Sequence, residues 1–422
     1  MNLSIIGAGY VGLVTGGCFA KLGHHVICVD LDERKVDTIK SGRSPLYEAG
    51  LDELLFTHRD SITATTDYDY ALTNSKVTFI CVGTPSNDDG SIDLSYVRTA
   101  VEELGRGLKE TAGWHLVVVK STVLPGTTRD VVLPLLEQHS DKRAGIDFGV
   151  AVNPEFLREG VAVNDFLNPD RIVIGVSDER SRDVLRELYE PFSCPLVETS
   201  LSAAEMIKYA SNAFLAAKVS FINELGNLCK RIGVDTYEVA EGMGYDNRIG
   251  RAFLDSGIGW GGSCFPKDLH ALIVWAQELG EVPTLLEQVV AVNERQPERL
   301  IELLKRHIPD LNGRTIGILG LAFKPGTDDV RESRAIPVVQ RLIKEGAVVK
   351  AYDPEAMENF KQLFPDIVYC GTAEEALLAD AVLILTNWEQ FQALDYTGKI
   401  VIDGRRLAEA RTTAKRYEGV CW

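Results

Sequence analysis

The chain has 422 residues, 45% hydrophobic and 25% charged, with a formal net charge of −17. At roughly 100–200 residues per domain this length gives two or three domains with ample core. A chain this acidic excludes nonspecific coating of nucleic acid or of an anionic membrane, so any phosphorylated ligand must be met by backbone amides and a few placed cations.

None of the eight cysteines forms a CxxC pair, which argues against a zinc ribbon or a thioredoxin-like motif, and no metal is expected. Most of them sit in apolar stretches, where cysteine behaves as a small hydrophobe. The N-terminal residues lack a basic leader region, and no apolar run approaches the ~18 residues of a membrane span. The expectation is a cytoplasmic protein.

Residues 3–6 form a short apolar run that stops at Gly7, helical periodicity runs over about 10–22, and a second apolar run at 25–29 ends at Asp30. This is a βαβ unit. Further strands are predicted at 77–82, 115–119, 148–152 and 171–174, with amphipathic helices such as 95–110 and 128–139 between them. That alternation predicts a parallel sheet with helices on both faces. Residues 202–232 read as one long Ala-rich helix, a Gly-rich segment at 257–264 interrupts, and helix returns at 269–279. The α/β rhythm then resumes with strands at 315–319, 348–352, 381–385 and 399–402 and a helix at 335–344. The predicted class is α/β, two Rossmann-like parallel-sheet domains joined by a long central helix. The boundaries are 1–200, a central helical domain over 201–300, and 301–422. Along the long helix, Ala204, Ile207, Ala210, Phe214, Ala217, Phe221 and Leu225 recur every three or four residues. That is more apolar surface than one domain needs, and it predicts a homodimer or larger oligomer.

The motifs fall at strand ends. Gly7-Ala8-Gly9-Tyr10-Val11-Gly12 joins a strand to a helix, with Asp30 18 residues beyond its last glycine. Gly7 permits the turn, Gly9 admits a pyrophosphate, Gly12 lets helix and strand pack, and the helix N-terminus faces the phosphates. Asp30 would hold the ribose diol and repel a 2′-phosphate, so the predicted cofactor is NAD. Val82-Gly83-Thr84-Pro85 and Lys120-Ser121-Thr122 also follow strands, though ordinary turn chemistry explains either one equally well. In Asn153-Pro154-Glu155-Phe156-Leu157-Arg158-Glu159-Gly160 the two glutamates share a face if the segment is helical, and flanking apolar residues favour a site over surface charge.

Four glycines in six residues, 257, 259, 261 and 262, leave Cys264 open to a substrate, and Lys267 could favour its thiolate. Lys208 and Asn212 share one face of the long helix, a pattern a solvated face explains as well. Phe323-Lys324-Pro325-Gly326-Thr327-Asp328-Asp329-Val330-Arg331-Glu332-Ser333 follows the first strand of the second α/β half, which lacks GxGxxG. Lys324 and Arg331 there suggest phosphate rather than a second dinucleotide.

Together NPEFLREG, GGSCFPKD and FKPGTDDVRES resemble the nucleotide-sugar 6-dehydrogenases over the whole chain. The resemblance implies a four-electron oxidation of a sugar C6 alcohol to a carboxylate, with two NAD and a cysteine-bound thioester. Cys264 matches the nucleophile, Lys208 and Asn212 the oxyanion stabilisers, and Asp268 the carboxylate that orients water and tunes the lysine. Glu155 matches the base for thioester hydrolysis, with Thr122 assisting through water. Contacts to NAD match Val11, Asp30, Lys35, Thr84, Thr122, Glu159, Lys267 and Arg331, beside Gly7, Gly9 and Gly12. Substrate contacts match Glu155, Phe156, Leu157, Arg158 and Glu159, then Phe253, Leu254, Asp255, Ser256 and Gly257, with Gly261, Lys324 and Arg405. Lys208 and Asn212 also face that substrate, and Arg248 matches a residue reaching the neighbouring subunit's substrate. Asn168-Pro169-Asp170-Arg171 and Phe265 lean toward UDP-glucose as substrate, with GDP-mannose the alternative. A sensor that merely binds NAD needs only the glycine loop at 7–12, so Cys264, Lys208 and Asp268 together point to an enzyme.

Overall fold

Strand β1 (Asn2–Ile6) is buried from Leu3 onward and ends at Gly7, whose φ of +95° suits only glycine. The helix Tyr10–Lys21 follows, then β2 (His25–Val29), and the strands pair in parallel from Asn2 against His25 to Ile6 against Val29. The sheet continues with β3 (Ile62–Thr65), β4 (Val77–Ile80), β5 (His115–Val119), β6 (Phe148–Val152), β7 (Ile172–Val176) and β8 (Leu196–Thr199). This computed structural model describes residues 1–422, which divide into two units, Met1–Ala210 and Ser211–Trp422. The first unit has strand order β3-β2-β1-β4-β5-β6-β7-β8. The order reverses between β1 and β4, so the loops after these strands flank the crevice where open α/β sheets bind ligands.

Strand residues alternate between two cores. Leu3, Ile5, Phe79, Leu116 and Val118 pack with Leu13 and Phe19 of the first helix on one face. Ile6, Ile80, Val117 and Val119 pack with Val97, Val101 and Leu104 of the helix Ser95–Glu110 on the other.

One pairing departs from the parallel expectation: β6 and β7 run antiparallel, Ala151 against Val176 and Val152 against Gly175. The physical reason is length. Residues 153–158 stay irregular at the carboxyl end of β6, which leaves only the six-residue helix Ala162–Leu167. At ~1.5 Å per residue that helix covers ~9 Å, about half of a ~17 Å strand, and the chain re-enters the sheet from the carboxyl end of β6.

The helix Leu201–Ile232 is continuous over 32 residues. Within the second unit, its Ala213 and Ala216 pack with Trp260, Leu269 and Val289. The second sheet is parallel throughout: β9 (Thr315–Leu319), β10 (Val348–Tyr352), β11 (Val368–Tyr369), β12 (Ala381–Ile384), β13 (Ile400–Asp403) and β14 (Arg416–Gly419), in order β11-β10-β9-β12-β13-β14. Two α/β sheets and a long central helix are what the sequence predicts. Asp353 follows β10 as Asp30 follows β2, but it is fully buried. Its Oδ2 accepts from the N–H groups of Leu321 and Ala322 and the Trp388 indole, and its Oδ1 from Glu355 and Ala356. No lone pair remains for a ribose, so the second sheet is not a second dinucleotide site. No helix is long and apolar enough to cross a membrane.

Candidate active site

In the first unit the glycine loop has the dimensions of a pyrophosphate cradle. A Cβ on Gly7 would lie 2.9 Å from the Cys81 carbonyl oxygen, and one on Gly12 would lie 1.9 Å from that of Gly7. At Gly9 nothing lies within 4 Å of where a Cβ would be, so the space is open to a ligand. Gly9 caps the helix Tyr10–Lys21 with no side-chain bond, which leaves the first helical N–H groups for phosphate oxygens. Asp30 accepts from Ala8 N–H on Oδ2 and Asp32 N–H on Oδ1, both at 3.0 Å, with Lys35 Nζ at 3.5 Å. Oδ1, with one donor, keeps capacity for a ribose hydroxyl, so the residues fit NAD. Thr84 Oγ1 donates to the Thr122 carbonyl at 2.9 Å and Ser121 Oγ to that of Val82 at 2.6 Å, tying the ends of β4 and β5 together. Val11 and Thr122 are half-buried at this edge.

The Asn153–Gly160 segment is not helical, so Glu155 and Glu159 do not share a helix face. Pro154 holds Asn153 in extended backbone, and the chain turns only at 159–160. Glu155 is buried, with Oε1 2.8 Å from Lys208 Nζ and Oε2 2.5 Å from the Leu157 N–H. Burial alone would raise its pKa, but the Lys208 ammonium, the Leu157 N–H and the field of Lys120 together bring it below the ordinary value. The Phe156 ring carries Lys208 Nζ at 5.5 Å and the Arg171 guanidinium at 3.9 Å. Arg158 turns outward to Asp165, and Glu159 is half-buried in the turn.

Glu48 belongs to none of the sequence motifs. It is buried and accepts from the N–H groups of Gly160 at 2.6 Å and Ala162 at 2.7 Å and from the Tyr10 hydroxyl. It thereby ties the glutamate loop to the first residue of the dinucleotide helix. Its only sequence signal is an acid among turn residues.

In the second unit Cys264 is half-buried and is the N-cap of the helix Phe265–Glu278, which starts earlier than the periodicity at 269 predicts because Pro266 suits a first turn. The residue therefore stands at the positive end of that helix, with no side-chain cap bond to it. Lys267, expected to favour the thiolate, bonds instead to Asp268 Oδ1 at 2.7 Å. Asp268 is buried, and its Oδ2 accepts from Asn212 Nδ2 at 2.6 Å. Lys208 and Asn212 lie one turn apart on the long helix, and both are buried, which rules out a solvated face.

The glycines before Cys264 serve backbone packing within this unit. A Cβ on Gly261 would meet the Glu332 carbonyl oxygen at 2.1 Å, and one on Gly262 the Phe323 ring at 2.7 Å. Gly262 N–H donates to the Arg331 carbonyl at 3.0 Å. Phe253 sits at φ +64°, Leu254 and Ser256 are buried, Asp255 pairs with Arg251, and Gly257 N–H donates to Asn223 Oδ1 at 2.8 Å. Arg405 Nε donates to the Leu385 carbonyl at 2.8 Å, and burial lowers its pKa to about 10, still a cation at neutral pH. Lys324 Nζ lies 5.5 Å over the Phe323 ring. Arg331 bonds Asp329, and Arg248, highly exposed, bonds Asp246.

A chain that opens with a dinucleotide cradle and keeps a thiol at a helix N-terminus is equipped as a nicotinamide-dependent dehydrogenase of the doubly wound class. Residues 1–193 match the NAD-binding domain of the UDP-glucose/GDP-mannose dehydrogenase family, 202–295 its central domain and 317–410 its UDP-binding domain. The chain belongs to this family, and NAD is its cofactor. It is 51% identical over 423 residues to a UDP-glucose 6-dehydrogenase of Haloferax volcanii, with 97% of this chain and 98% of that one covered. Over 406 residues it is 47% identical to a UDP-glucose 6-dehydrogenase of Rhizobium meliloti, with 94% and 91% covered. The solved structure of a UDP-glucose dehydrogenase from the archaeon Pyrobaculum islandicum matches with a TM-score of 0.96 at 46% identity, covering 100% of this chain and 98% of that one.

Proposed function

We propose that this chain oxidises the C6 alcohol of UDP-glucose to the carboxylate of UDP-glucuronate through a thiohemiacetal and a thioester on Cys264. The observation that carries this is the half-buried Cys264 at the cap of the helix Phe265–Glu278. Burial pushes Cys28, Cys81 and Cys421 up to about 12, so those thiols are inert.

Bound in the cradle of the glycine loop and Asp30, NAD would supply the hydride acceptor, one molecule for each of the two oxidations. As hydride leaves C6, the C6 hydroxyl passes its proton to water, and the Lys208 ammonium and the Asn212 amide stabilise the oxygen that becomes negative. The Cys264 thiolate then adds to the aldehyde carbon. The tetrahedral adduct again presents a C–H and an ionisable oxygen, so one set of residues serves both oxidations. Glu155, with Thr122 assisting through water, takes a proton from the water that attacks the thioester, and Cys264 leaves as thiolate. Lys208 bonds Glu155 in the free protein, so on this account it exchanges that carboxylate for the substrate oxygen. Asp268 holds Asn212 and Lys267 in register.

Gly7, Gly9, Val11, Gly12, Asp30, Lys35, Thr84 and Thr122 would line the NAD site, with Glu159, Lys267 and Arg331 completing it. Lys324 and Arg405 would meet the nucleotide diphosphate, and residues 155–159, 253–257 and Gly261 the rest of the substrate. Arg248, exposed in one subunit, would reach the site of its neighbour in a homodimer. The three-domain division at 200 and 300 stays our proposal, as does a cytoplasmic location, which the eight free thiols support.

The sugar is tested by following NADH at 340 nm (the reduced-nicotinamide band) with UDP-glucose, GDP-mannose and UDP-N-acetylhexosamines in parallel. UDP-glucose should give the highest kcat/KM and two NADH per sugar. A higher kcat/KM for GDP-mannose would overturn the assignment.

A further inference from the structure

Of the Lys120-Ser121-Thr122 motif, the mechanism uses the threonine and leaves the lysine unexplained. Lys120 follows β5, at the carboxyl edge of the sheet, with only 4% of its surface exposed. Its Nζ donates to Asn153 Oδ1 at 2.8 Å. The same oxygen accepts from the Tyr189 hydroxyl at 2.5 Å, while Asn153 Nδ2 donates to the Val173 carbonyl at 2.8 Å. The ammonium otherwise has only the Phe166 ring, 5.9 Å away. Asn153 is thus held from three sides, and the lysine with it. As a pin between strands an ammonium is a poor choice, because a neutral donor would make the same bond without the cost of burying a charge that no carboxylate bonds.

The titratable groups that face Lys120 come from four elements: Cys81 at the end of β4, Glu155 after β6, Tyr189 of the helix Glu179–Tyr189 and Lys208 of the long helix. Burial pushes Cys81 up to about 12 and Tyr189 far above its usual range, so neither ionises near neutral pH. Lys208 is a like charge. Glu155 is therefore the one anion on which the field of Lys120 acts, and that field lowers its pKa.

We infer that Lys120 is a positioning residue for the hydrolytic half-reaction: anchored on Asn153, its ammonium keeps Glu155 ionised while Lys208 is engaged with the substrate oxygen. This rests on the assignment of Glu155 as the base that activates water. Without a second cation, a buried carboxylate that has lost its bonded lysine takes up a proton and cannot accept one from water. Lys120 cannot follow Lys208, because its nitrogen is tied to Asn153.

The test is the rate of thioester loss in acid-quenched single turnovers with UDP-glucose and NAD, measured across the pH range. Lys120→Gln keeps a donor for Asn153 and removes the charge. Its acid limb should move alkaline by ~1 pH unit, a ~10-fold loss below the limb, with the plateau rate retained. Lys120→Arg should keep the limb of the wild type. Lys120→Met, neutral and similar in volume, is the second variant should the glutamine fail to fold, and should move the limb equally. An unmoved limb in the neutral variants, a uniform slowing at every pH, or an equal shift in Lys120→Arg overturns the inference. Glu155→Gln in the same assay separates the two claims. If it keeps the wild-type limb, the base is another group, and the Glu155 assignment falls with the inference. If it loses the limb while Lys120→Gln leaves it in place, the inference alone fails.

Discussion

Asp268 joins two parts of the candidate machinery of the second unit: one oxygen bonds Asn212 on the long helix and the other Lys267 beside the cysteine. Asp268→Asn removes the charge and keeps the shape. Loss of charge-assisted bonds of ~1.5–3 kcal/mol predicts a kcat ~10–100-fold lower, with NAD affinity retained, checked by steady-state NADH production and NAD titration. Lys208→Ala should behave differently, because both hydride transfers pass through a negative oxygen at C6. Comparable oxyanion donors are worth roughly 3–4 kcal/mol, so both steps should slow by ~10²–10³ in stopped flow. The variant also strips Glu155 of its bonded cation, so the acid limb of any residual activity should move alkaline. Cys264 and Glu155 are legible as candidates because each lies in a short run of unusual composition, whereas helical spacing alone leaves Lys208 and Asn212 open to a solvated face. Glu48 is not legible, since its bonds to Gly160 and Ala162 span 112 and 114 residues and leave no local pattern.

At the scale of elements, β5 begins with a histidine that the fold has buried. His115 Nε2 lies 2.7 Å from Thr78 Oγ1 on β4, and that hydroxyl lies 2.7 Å from Ser4 Oγ on β1. Burial lowers its pKa from 6.5 to about 4, so the folded state prefers the neutral ring. The contribution is fully present above pH 6.5 and is lost as pH falls toward about 4, amounting to about 3 kcal/mol. His115→Gln should be less stable at neutral pH and should lose part of the wild type's acid sensitivity in that window, as read from urea unfolding at several pH values. The element order was largely legible, since apolar runs that end in glycine or a polar residue mark buried parallel strands. Two boundaries were not. The antiparallel β7 depends on how little chain is left after the irregular stretch at 153–158, and the early start of the helix Phe265–Glu278 depends on Pro266, where apolar periodicity carries no signal.

For the whole molecule, the long helix carries an apolar face that the monomer does not cover. Phe214, Phe221 and Leu228 recur every seven residues and are 67%, 50% and 58% exposed. Two turns of helix put them on one side. Ala204, part of the stripe predicted from sequence, is fully buried in the core of the first unit instead. We propose that this stripe is the interface between two copies of the chain, and we expect a dimer in light scattering. The pair Phe214→Glu and Phe221→Glu should yield monomers and lose activity if Arg248 serves the neighbouring subunit. The central claim is a covalent one, that the sugar passes through a thioester on Cys264. It is tested most directly by acid-quenching the enzyme during turnover of UDP-glucose with NAD and weighing the peptide that contains Cys264. The account predicts a UDP-glucuronyl adduct on that cysteine in the wild type and none in Cys264→Ser. An unmodified Cys264 during turnover, or a Cys264→Ser enzyme that makes the acid at near wild-type rate, would contradict it.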